Sequence, residues 1–163
     1  MIKMMGVKIS SGLQMYRLKN SNLEVFLVHP GGPFWKNKDE GAWSIPKGEV
    51  EQDEELLETA KREFKEEIGF EPNAKEFIYL GCIKQKAGKT VYCWAFQSDF
   101  LGLLPQNFIS VEYPPKSRKF IKIPEIDRAQ FFSVDTAKKK INSAQKEFID
   151  RLEKILKENK NND

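Results

Sequence analysis

The stretch that decides the fold is GEVEQDEELLETAKREFKEEIGF, residues 48–70 of a 163-residue chain. It carries nine acidic and three basic side chains, a local net charge of −6 in a protein whose overall net charge is +3. From Asp53 onward the pattern predicts a helix, because Asp53 is a suitable N-cap and an acidic first turn suits the positive end of the helix dipole. Gly69, followed by Pro72, predicts where that helix ends.

An apolar stripe and an acidic edge run side by side along the predicted helix. The stripe recurs at three- and four-residue spacing and consists of Leu57, Ala60, Phe64 and Ile68. At about 100° per residue, Glu63 and Glu67 lie about 40° apart beside this stripe, and Glu66 lies about 60° beyond Glu63. Like charges at this spacing repel, so the pattern indicates a cation among them, and oxygen ligands favour Mg²⁺ or Mn²⁺. A solvated acidic helix face is the alternative interpretation.

The same stretch resembles the Nudix box, a motif with fixed glycine, glutamate, arginine and apolar positions. Every fixed position is filled without departure, by Gly48, Glu54, Arg62, Glu63, Phe64, Glu66, Glu67, Gly69 and Phe70. The resemblance implies an α/β fold in which a mixed β-sheet is sandwiched between helices and the box forms a loop–helix–loop. It also implies an enzyme that hydrolyses nucleoside diphosphates linked to another group.

The resemblance assigns roles to individual residues. It implies that Glu63, Glu66 and Glu67 bind the metal together with the backbone carbonyl of Gly48. In many family members a further acid late in the sheet joins the metal or acts as base, and the candidates in order are Glu125, Glu112 and Asp127. The resemblance implies that the general base is either one of the metal-binding acids of the box or the late acid, and it does not say which. Glu54 and Arg62 complete the catalytic set as orienting residues, with Arg62 paired either to Glu58 or to the acids of the box.

The lead-in to the box bears on the substrate. Residues 43–48 read W-x-x-P-K-G, which resembles the branch that includes diadenosine tetraphosphate hydrolases, inositol pyrophosphate phosphatases and mRNA decapping enzymes. A dinucleoside polyphosphate such as diadenosine tetraphosphate is therefore the first expectation. The alternatives are a sanitising pyrophosphatase for oxidised nucleoside triphosphates, an RNA 5′-end pyrophosphohydrolase, or a non-catalytic nucleotide sensor. An eroded box would favour the sensor, and this box is intact.

Five residues outside the acidic cluster are candidates for binding a small phosphorylated nucleotide. Lys47 precedes the box and is available to a phosphate, while His29 and Trp35 fall in a Gly- and Pro-rich segment predicted to be a loop. Lys86 and Arg118 belong to two basic turns. Each has a plainer alternative: His29 as an ordinary hydrogen-bonding residue, Trp35 as a cover for the sheet edge, and the two basic residues as parts of solvated turns.

Bulk composition limits the class of protein. The length predicts a single domain over residues 1–157 followed by a frayed polar tail at 158–163. Outside the box the chain is basic, but no arginine-rich arm supports nucleic-acid binding beyond an RNA 5′ end. Cys82 and Cys93 lack metal-site spacing and are predicted to be buried reduced thiols. Residues 1–19 resemble neither a signal peptide nor a membrane span, so we expect a cytoplasmic monomer or homodimer.

Periodicity predicts the remaining elements. Strands are expected at residues 7–18, 23–28, 43–45, 77–84, 90–96, 108–113, 120–123 and 129–132. Helices are expected at 135–141, capped by Asp135, and at 143–157, where an amphipathic stripe should dock on the sheet.

Overall fold

The computed structural model describes residues 8–99, 104, 105 and 107–161. Its strands are β1 Lys8–Lys19, β2 Asn22–Pro30, β3 Lys47–Glu49, β4 Ile78–Gln85, β5 Lys89–Gln97, β6 Phe108–Glu112, β7 Phe120–Pro124 and β8 Ile126–Ser133. Its α-helices are α1 Leu56–Ile68, α2 Val134–Lys140 and α3 Lys146–Asn161, and single 3₁₀ turns occur at Lys86–Gly88 and Ser143–Gln145. The predicted α/β class with a C-terminal helix is confirmed.

A mixed six-stranded sheet forms the centre of the molecule. Its strand order is β4-β5-β1-β2-β8, and β3 pairs with β1 beside this path. The β1–β5 pair is parallel, whereas β1–β2, β1–β3, β2–β8 and β4–β5 are antiparallel. Strands β6 and β7 form a separate two-stranded hairpin that leads directly into β8.

Alternating side chains of the sheet build a core on each face. In β5, Phe96 belongs to the core under α1, while Val91 and Ala95 belong to the core under α2 and α3. This alternation follows from the two-residue period of a strand, and it produces the layered sandwich that the sequence predicted. The helix α1 is held on its face by Phe64, whose ring contacts Phe96 edge-on at a centroid distance of 5.2 Å.

The ends of the box helix differ slightly from the prediction. The N-cap is Glu55 and not Asp53, because Asp53 has a left-handed backbone (φ 63°) two residues before the cap. The predicted C-terminus is correct: Gly69 adopts φ 92° and its N–H donates to the carbonyl of Lys65. Helix α1 therefore starts at Leu56 and carries its acidic edge in its second half.

The short strand predicted at 43–45 lies instead at Lys47–Glu49. Trp43 and Ser44 form only isolated bridges, whereas Lys47–Glu49 pairs with residues 10–12 of β1. Gly12 makes this pairing close, because a Cβ there would lie 2.4 Å from the carbonyl oxygen of Pro46. The absence of a side chain at Gly12 thus allows the lead-in to the box to pack against β1.

Several smaller predictions are corrected. Ser133 caps α2 by accepting the N–H of Thr136, in place of Asp135. Helix α3 continues to Asn161, so residues 158–161 are helical and not a frayed tail. Cys93 is buried as predicted, but Cys82 is exposed. Val7, where the first strand was predicted to begin, and residues 162–163 of the predicted tail lie outside the described residues. Within the described ranges, no helix combines the length and apolarity needed to cross a bilayer.

His29 lies in the core and not in a loop. It is the eighth residue of β2 and is 0% exposed. Its Nε2 donates to the carbonyl oxygen of Lys38 at 2.6 Å, and its Nδ1 lies 2.8 Å from Oδ1 of Asp127. The ring also contacts Trp43 edge-on at 5.2 Å. Both ring nitrogens are therefore engaged within the protein, which corrects the prediction that His29 binds substrate.

Replacement of His29 by Leu is expected to destabilise the fold by about 2 kcal/mol, since it leaves the Lys38 carbonyl and the Asp127 carboxylate without their partner. Urea unfolding followed by circular dichroism measures this. Asp127→Asn is the matched control, because an amide still offers Nδ1 a polar partner and the loss should be smaller. A His29→Leu protein as stable as the wild type would contradict the assignment.

Candidate functional site

A cavity of about 260 Å³ opens where the end of α1 meets the loop after β2 and the start of the C-terminal helical region. It is lined by Val28, Pro30, Trp35, Gly41, Ala42, Trp43, Ser44, Ile45, Lys47, Glu67, Gln85, Glu125, Ile126, Asn142 and Gln145. Four residues predicted to belong to the site therefore meet here: Trp35, Lys47, Glu67 and Glu125. They come from four separate segments of the chain.

Glu67 is the carboxylate that lies deepest in this site. Its Oε2 atom is buried and has no hydrogen-bond partner among the described residues. The pKa of Glu67 is raised well above its usual value by burial first, and then by the negative charges of Glu125 and Glu63. Lys47 opposes this shift through its backbone N–H and its ammonium group. An enclosed carboxylate of this kind needs a proton or a cation.

Glu63 is seated by the box glycine. A Cβ on Gly48 would lie 2.0 Å from the carboxyl carbon of Glu63, so only glycine leaves room for this side chain. Strand β3 places Gly48 there by pairing it with Ser11. Burial raises the pKa of Glu63, and the charge of Arg62 opposes that shift. The backbone of β3 and the carboxylate of α1 are thus in direct contact.

Arg62 connects the acids of the box. Its guanidinium donates to Glu54 at 2.8 Å, to Glu63 at 3.0 Å and to Glu66 at 3.3 Å. Of the two alternatives that the sequence left open, the structure selects the acids of the box, since Glu58 instead lies 3.7 Å from Lys61. Arg62 therefore screens repulsion between the carboxylates and fixes their orientation.

Glu54 has the strongest local interactions of the acids. Arg62 is the main cause that lowers the pKa of Glu54 to about 2, and the hydroxyl of Thr59 donates to it at 2.6 Å. Because the folded pKa lies below the ordinary value of 4.5, ionised Glu54 stabilises the fold above that value. This stabilisation is lost as the pH falls through about 2.

Glu54→Gln is expected to lower the free energy of unfolding by about 2 kcal/mol at pH 7, after allowance for solvent screening. The difference from the wild type should shrink as the pH falls from 4.5 towards 2, since protonation then removes the same charge from the wild type. Urea midpoints measured across this range test the sign. Glu55→Gln serves as control, because the exposed Glu55 side chain makes no capping hydrogen bond. A constant difference at every pH would contradict the pairing.

Of the three late acids, the structure brings Glu125 to the box. It lines the same cavity as Glu67, and its charge contributes to the raised pKa of both Glu67 and Glu63. Glu112 instead accepts the backbone N–H of Lys116 in the β6–β7 hairpin, and Asp127 contacts His29. Glu125 is therefore the candidate that the geometry favours.

Backbone contacts hold Glu125 in place. Its N–H donates to the carbonyl of Asn107 at 2.8 Å, and its carbonyl accepts the N–H of Gly31 at 3.2 Å. The side-chain amide of Asn107 in turn donates to the carbonyl of Glu66 at 2.6 Å. Asn107 thus ties the segment that carries Glu125 to the end of the box helix. The sequence offered no signal for it, because the contact spans 41 residues.

Asn107→Ala is expected to lower kcat by about tenfold, since the segment bearing Glu125 loses its link to α1. Steady-state kinetics with any turned-over nucleotide measures the change. Ser110→Ala, an exposed position of the same hairpin, is the control and should keep wild-type kcat. Equal kcat for wild type and Asn107→Ala would show that the link is dispensable.

The donor set suits a hard divalent cation in chemistry. Carboxylate and carbonyl oxygens are the ligands that Mg²⁺ and Mn²⁺ prefer, and the unpartnered Oε2 of Glu67 is an atom that a cation would satisfy. In the described part of the chain, no three acidic, histidine or cysteine side chains are already spaced around one point. The carboxylates would therefore have to approach one another to share an ion, and Glu63 and Glu66 can keep their hydrogen bonds from Arg62 while they do so.

The remaining predicted contacts divide into two groups. Lys47 lines the cavity, and burial first, then Lys89, lowers the pKa of its ammonium group. Trp35 is half-buried at the cavity wall and contacts Phe34 edge-on at 5.0 Å. Lys86, in an exposed 3₁₀ turn, and Arg118, in the turn between β6 and β7, do not line this cavity.

Three amide side chains of the cavity were missed by the sequence interpretation. Gln85, Asn142 and Gln145 form one wall, and Gln145 is almost fully buried. Asn142 caps the 3₁₀ turn that follows it, a role its residue type signals. Nothing local signals that the capping residue also faces the cavity.

The model of the NUDIX domain family matches residues 14–152 of the chain. An RNA pyrophosphohydrolase of Hahella chejuensis is 36% identical over 59 residues, which are 35% of this chain and 37% of that protein. The chain thus spans little more than a third of that relative's length.

Solved structures share the fold. The binary complex of an Ap4A hydrolase from C. elegans superposes with a TM-score of 0.66 at 18% identity, covering 90% of this chain and 97% of that one. The NUDIX domain of Shewanella oneidensis NrtR, complexed with ADP ribose, has a TM-score of 0.61 at 15% identity, covering 91% and 87%. The expected sandwich architecture is thereby confirmed.

Proposed function

The chain belongs to the NUDIX domain family, and from this premise we propose that it is a metal-dependent hydrolase of a pyrophosphate bond in a nucleoside diphosphate derivative. The observation that carries the proposal is the cavity that Glu67, with its unpartnered Oε2 atom, lines together with Glu125 and Lys47. The first substrate proposed is a dinucleoside polyphosphate such as diadenosine tetraphosphate.

The metal is proposed to be Mg²⁺ or Mn²⁺, held by oxygen ligands. Its ligands would be the carbonyl of Gly48 and the carboxylates of Glu63, Glu66, Glu67 and Glu125. When bound, a divalent ion screens the charge of a polyphosphate and lowers the pKa of a coordinated water. The two enclosed acids, Glu63 and Glu67, have raised pKa values that such a charge would lower again.

The chain's own residues supply positioning and proton transfer. Arg62 holds Glu63 and Glu66 at the edge of α1 through hydrogen bonds of 3.0 and 3.3 Å. Lys47 places a cation at the cavity wall, where it is available to a phosphate oxygen. One carboxylate of the set accepts the proton from the attacking water, and Glu67 and Glu125 are the two that line the cavity.

The size of the cavity and the lead-in residues support a two-part substrate. A volume of about 260 Å³ lies just below the usual range for sites that enclose a whole drug-sized ligand. One nucleoside would enter the cavity, and the second would lie outside it. The fold similarity to the C. elegans Ap4A hydrolase agrees with this choice.

An RNA 5′ end is the second candidate substrate. It is supported by the local similarity to the H. chejuensis RNA pyrophosphohydrolase and by the β6–β7 hairpin beside Glu125. Phe108 and Phe120 of this hairpin are 55% and 65% exposed, and Lys122 lies on the same face. Exposed aromatic and basic side chains together suit single-stranded nucleic acid.

A substrate panel with Mg²⁺ tests the proposal. It contains diadenosine tetraphosphate, an oxidised and a normal guanosine triphosphate, ADP-ribose and an RNA with a 5′ triphosphate, with products separated by ion-exchange chromatography. Glu67→Gln protein serves as the blank. If diadenosine tetraphosphate has the highest kcat/KM of the panel, the first proposed substrate is supported. If the RNA or the oxidised nucleotide has the highest value, that compound becomes the proposed substrate. Tight nucleotide binding with no turnover of any member would indicate a sensor instead.

A further inference from the structure

The amide wall of the cavity (Gln85, Asn142 and Gln145) has a defined hydrogen-bond polarity. The orientation of the Gln145 amide can be assigned first, because the backbone N–H of Ile45 donates to its Oε1 at 3.0 Å. A backbone N–H can only donate, so the atom it contacts is the amide oxygen and the other end of Gln145 is the NH₂ group. That group donates to Ser44 Oγ and to Gln85 Oε1, each at 3.2 Å.

The orientation of the other two amides follows. Gln85 lines the cavity and accepts through its oxygen, so its NH₂ group is the end that remains available to a ligand. Asn142 accepts the backbone N–H of Ala144 through Oδ1 at 3.0 Å, so its Nδ2 is likewise left over. No hydrogen bond to either of these NH₂ groups occurs among the described residues. The amide wall therefore has two NH₂ donors without a partner among the described residues, whereas each of its three oxygens already accepts one hydrogen bond.

Unpartnered NH₂ donors discriminate between nucleobases. On the edge that carries N7, guanine presents two adjacent acceptors, N7 and O6, whereas adenine presents the N7 acceptor beside the N6 amino donor. Two NH₂ groups match the first pattern and oppose an amino group in the second. Both Trp35 and Trp43 line the same cavity, and the half-buried Trp35 provides aromatic surface for a planar ring.

We infer that Gln85 and Asn142 are specificity-determining residues that select a 6-oxopurine, guanine or hypoxanthine, over adenine in this cavity. The inference rests on the proposed function in that the ligand is a nucleotide, and it narrows the substrate. A dinucleoside polyphosphate would insert a guanosine or inosine end, so that a guanosine-containing dinucleotide is preferred to the diadenosine compound. The amide wall fixes the base while Glu67 and Glu125 lie at the polyphosphate.

Binding of nucleoside monophosphates tests the inference without turnover. GMP, IMP and AMP are titrated against the full chain, and binding is followed by tryptophan fluorescence, since two of its three tryptophans line the cavity. GMP and IMP are expected to bind about tenfold more tightly than AMP, because a donor that faces an amino group stays unpaired. Equal affinities in the wild type would overturn the inference.

Isosteric variants identify the residues responsible. Asn142→Asp still accepts the Ala144 N–H and Gln85→Glu still accepts from Gln145, but each replaces a donor facing the cavity with an acceptor. The ratio of the AMP and GMP dissociation constants is expected to fall to near one or to invert. Asn22→Asp adds the same charge at an exposed position of β2 and should leave that ratio unchanged.

The outcomes separate this inference from the proposed function. If both variants weaken GMP and AMP equally and keep the wild-type ratio, the amides contact phosphate or sugar and the base assignment is wrong. If GMP is preferred and the variants remove that preference, the inference stands even where Mg²⁺ supports no hydrolysis of any nucleotide. If the protein hydrolyses nucleotides but binds GMP and AMP equally, the proposed hydrolase function stands and the proposed role of the amide wall in base selection is wrong.

Discussion

Glu67→Gln is expected to lower Mg²⁺-dependent turnover by more than about 100-fold, since loss of a direct ligand should exceed the 10- to 100-fold cost usual for residues behind the ligands. The amide keeps the size of the side chain and can still accept the backbone N–H of Lys47. It removes the negative charge in the cavity that a divalent ion and the attacking water would use. Initial rates at saturating Mg²⁺ measure the loss.

Stability provides the control for Glu67→Gln, with the opposite sign from activity. The pKa of Glu67 is raised, so its ionised form costs folding free energy, and that cost grows as the pH rises from 4.5 through the folded pKa. The glutamine variant should therefore be at least as stable as the wild type at pH 8. Glu71→Gln, an exposed acid just beyond α1, should change neither property. Wild-type turnover by the Glu67→Gln variant would show that Glu67 is neither a metal ligand nor a catalytic residue.

The box helix could be predicted because its information is local. The spacing from Gly48 to Phe70 fixes both the apolar stripe that packs Phe64 and the acidic edge beside it. The Arg62 contacts were predictable as a pair of alternatives, since helical spacing places several acids within reach of one guanidinium. What local pattern could not supply was the choice between them.

The roles of residues whose partners lie far away in the chain could not be predicted from the sequence. His29 reads as a loop residue because glycine and proline follow it, yet β8 extends β2 far enough to bury its ring against Asp127. The sequence offers Glu125 only as one of three candidate acids. In the structure, backbone hydrogen bonds with Asn107 and Gly31 hold its segment in place. In each case the deciding partner lies far away in sequence, so only the folded topology reveals the role.

Gly48→Ala is expected to lower kcat by about 100-fold, the cost of displacing a reacting group by about 1 Å. The new Cβ would lie 2.0 Å from the Glu63 carboxyl carbon and 2.3 Å from both of its oxygens, so the carboxylate must leave its position. Folding should lose only about 1 to 3 kcal/mol, since the overlap involves the end of a side chain and not the backbone. Kinetics and urea unfolding on one preparation measure both.

A double-mutant cycle shows whether the overlap causes the loss. Glu63→Asp shortens the side chain by one methylene group and withdraws the carboxyl from the position that the new Cβ would occupy. If displacement of Glu63 is the cause, Gly48→Ala should cost far less in the Glu63→Asp background than in the wild type, as expected for two residues in direct contact. Additive effects on kcat would mean that the methyl group acts elsewhere in β3. Coupling would instead establish that the box glycine is required because Glu63 occupies the space a side chain would take.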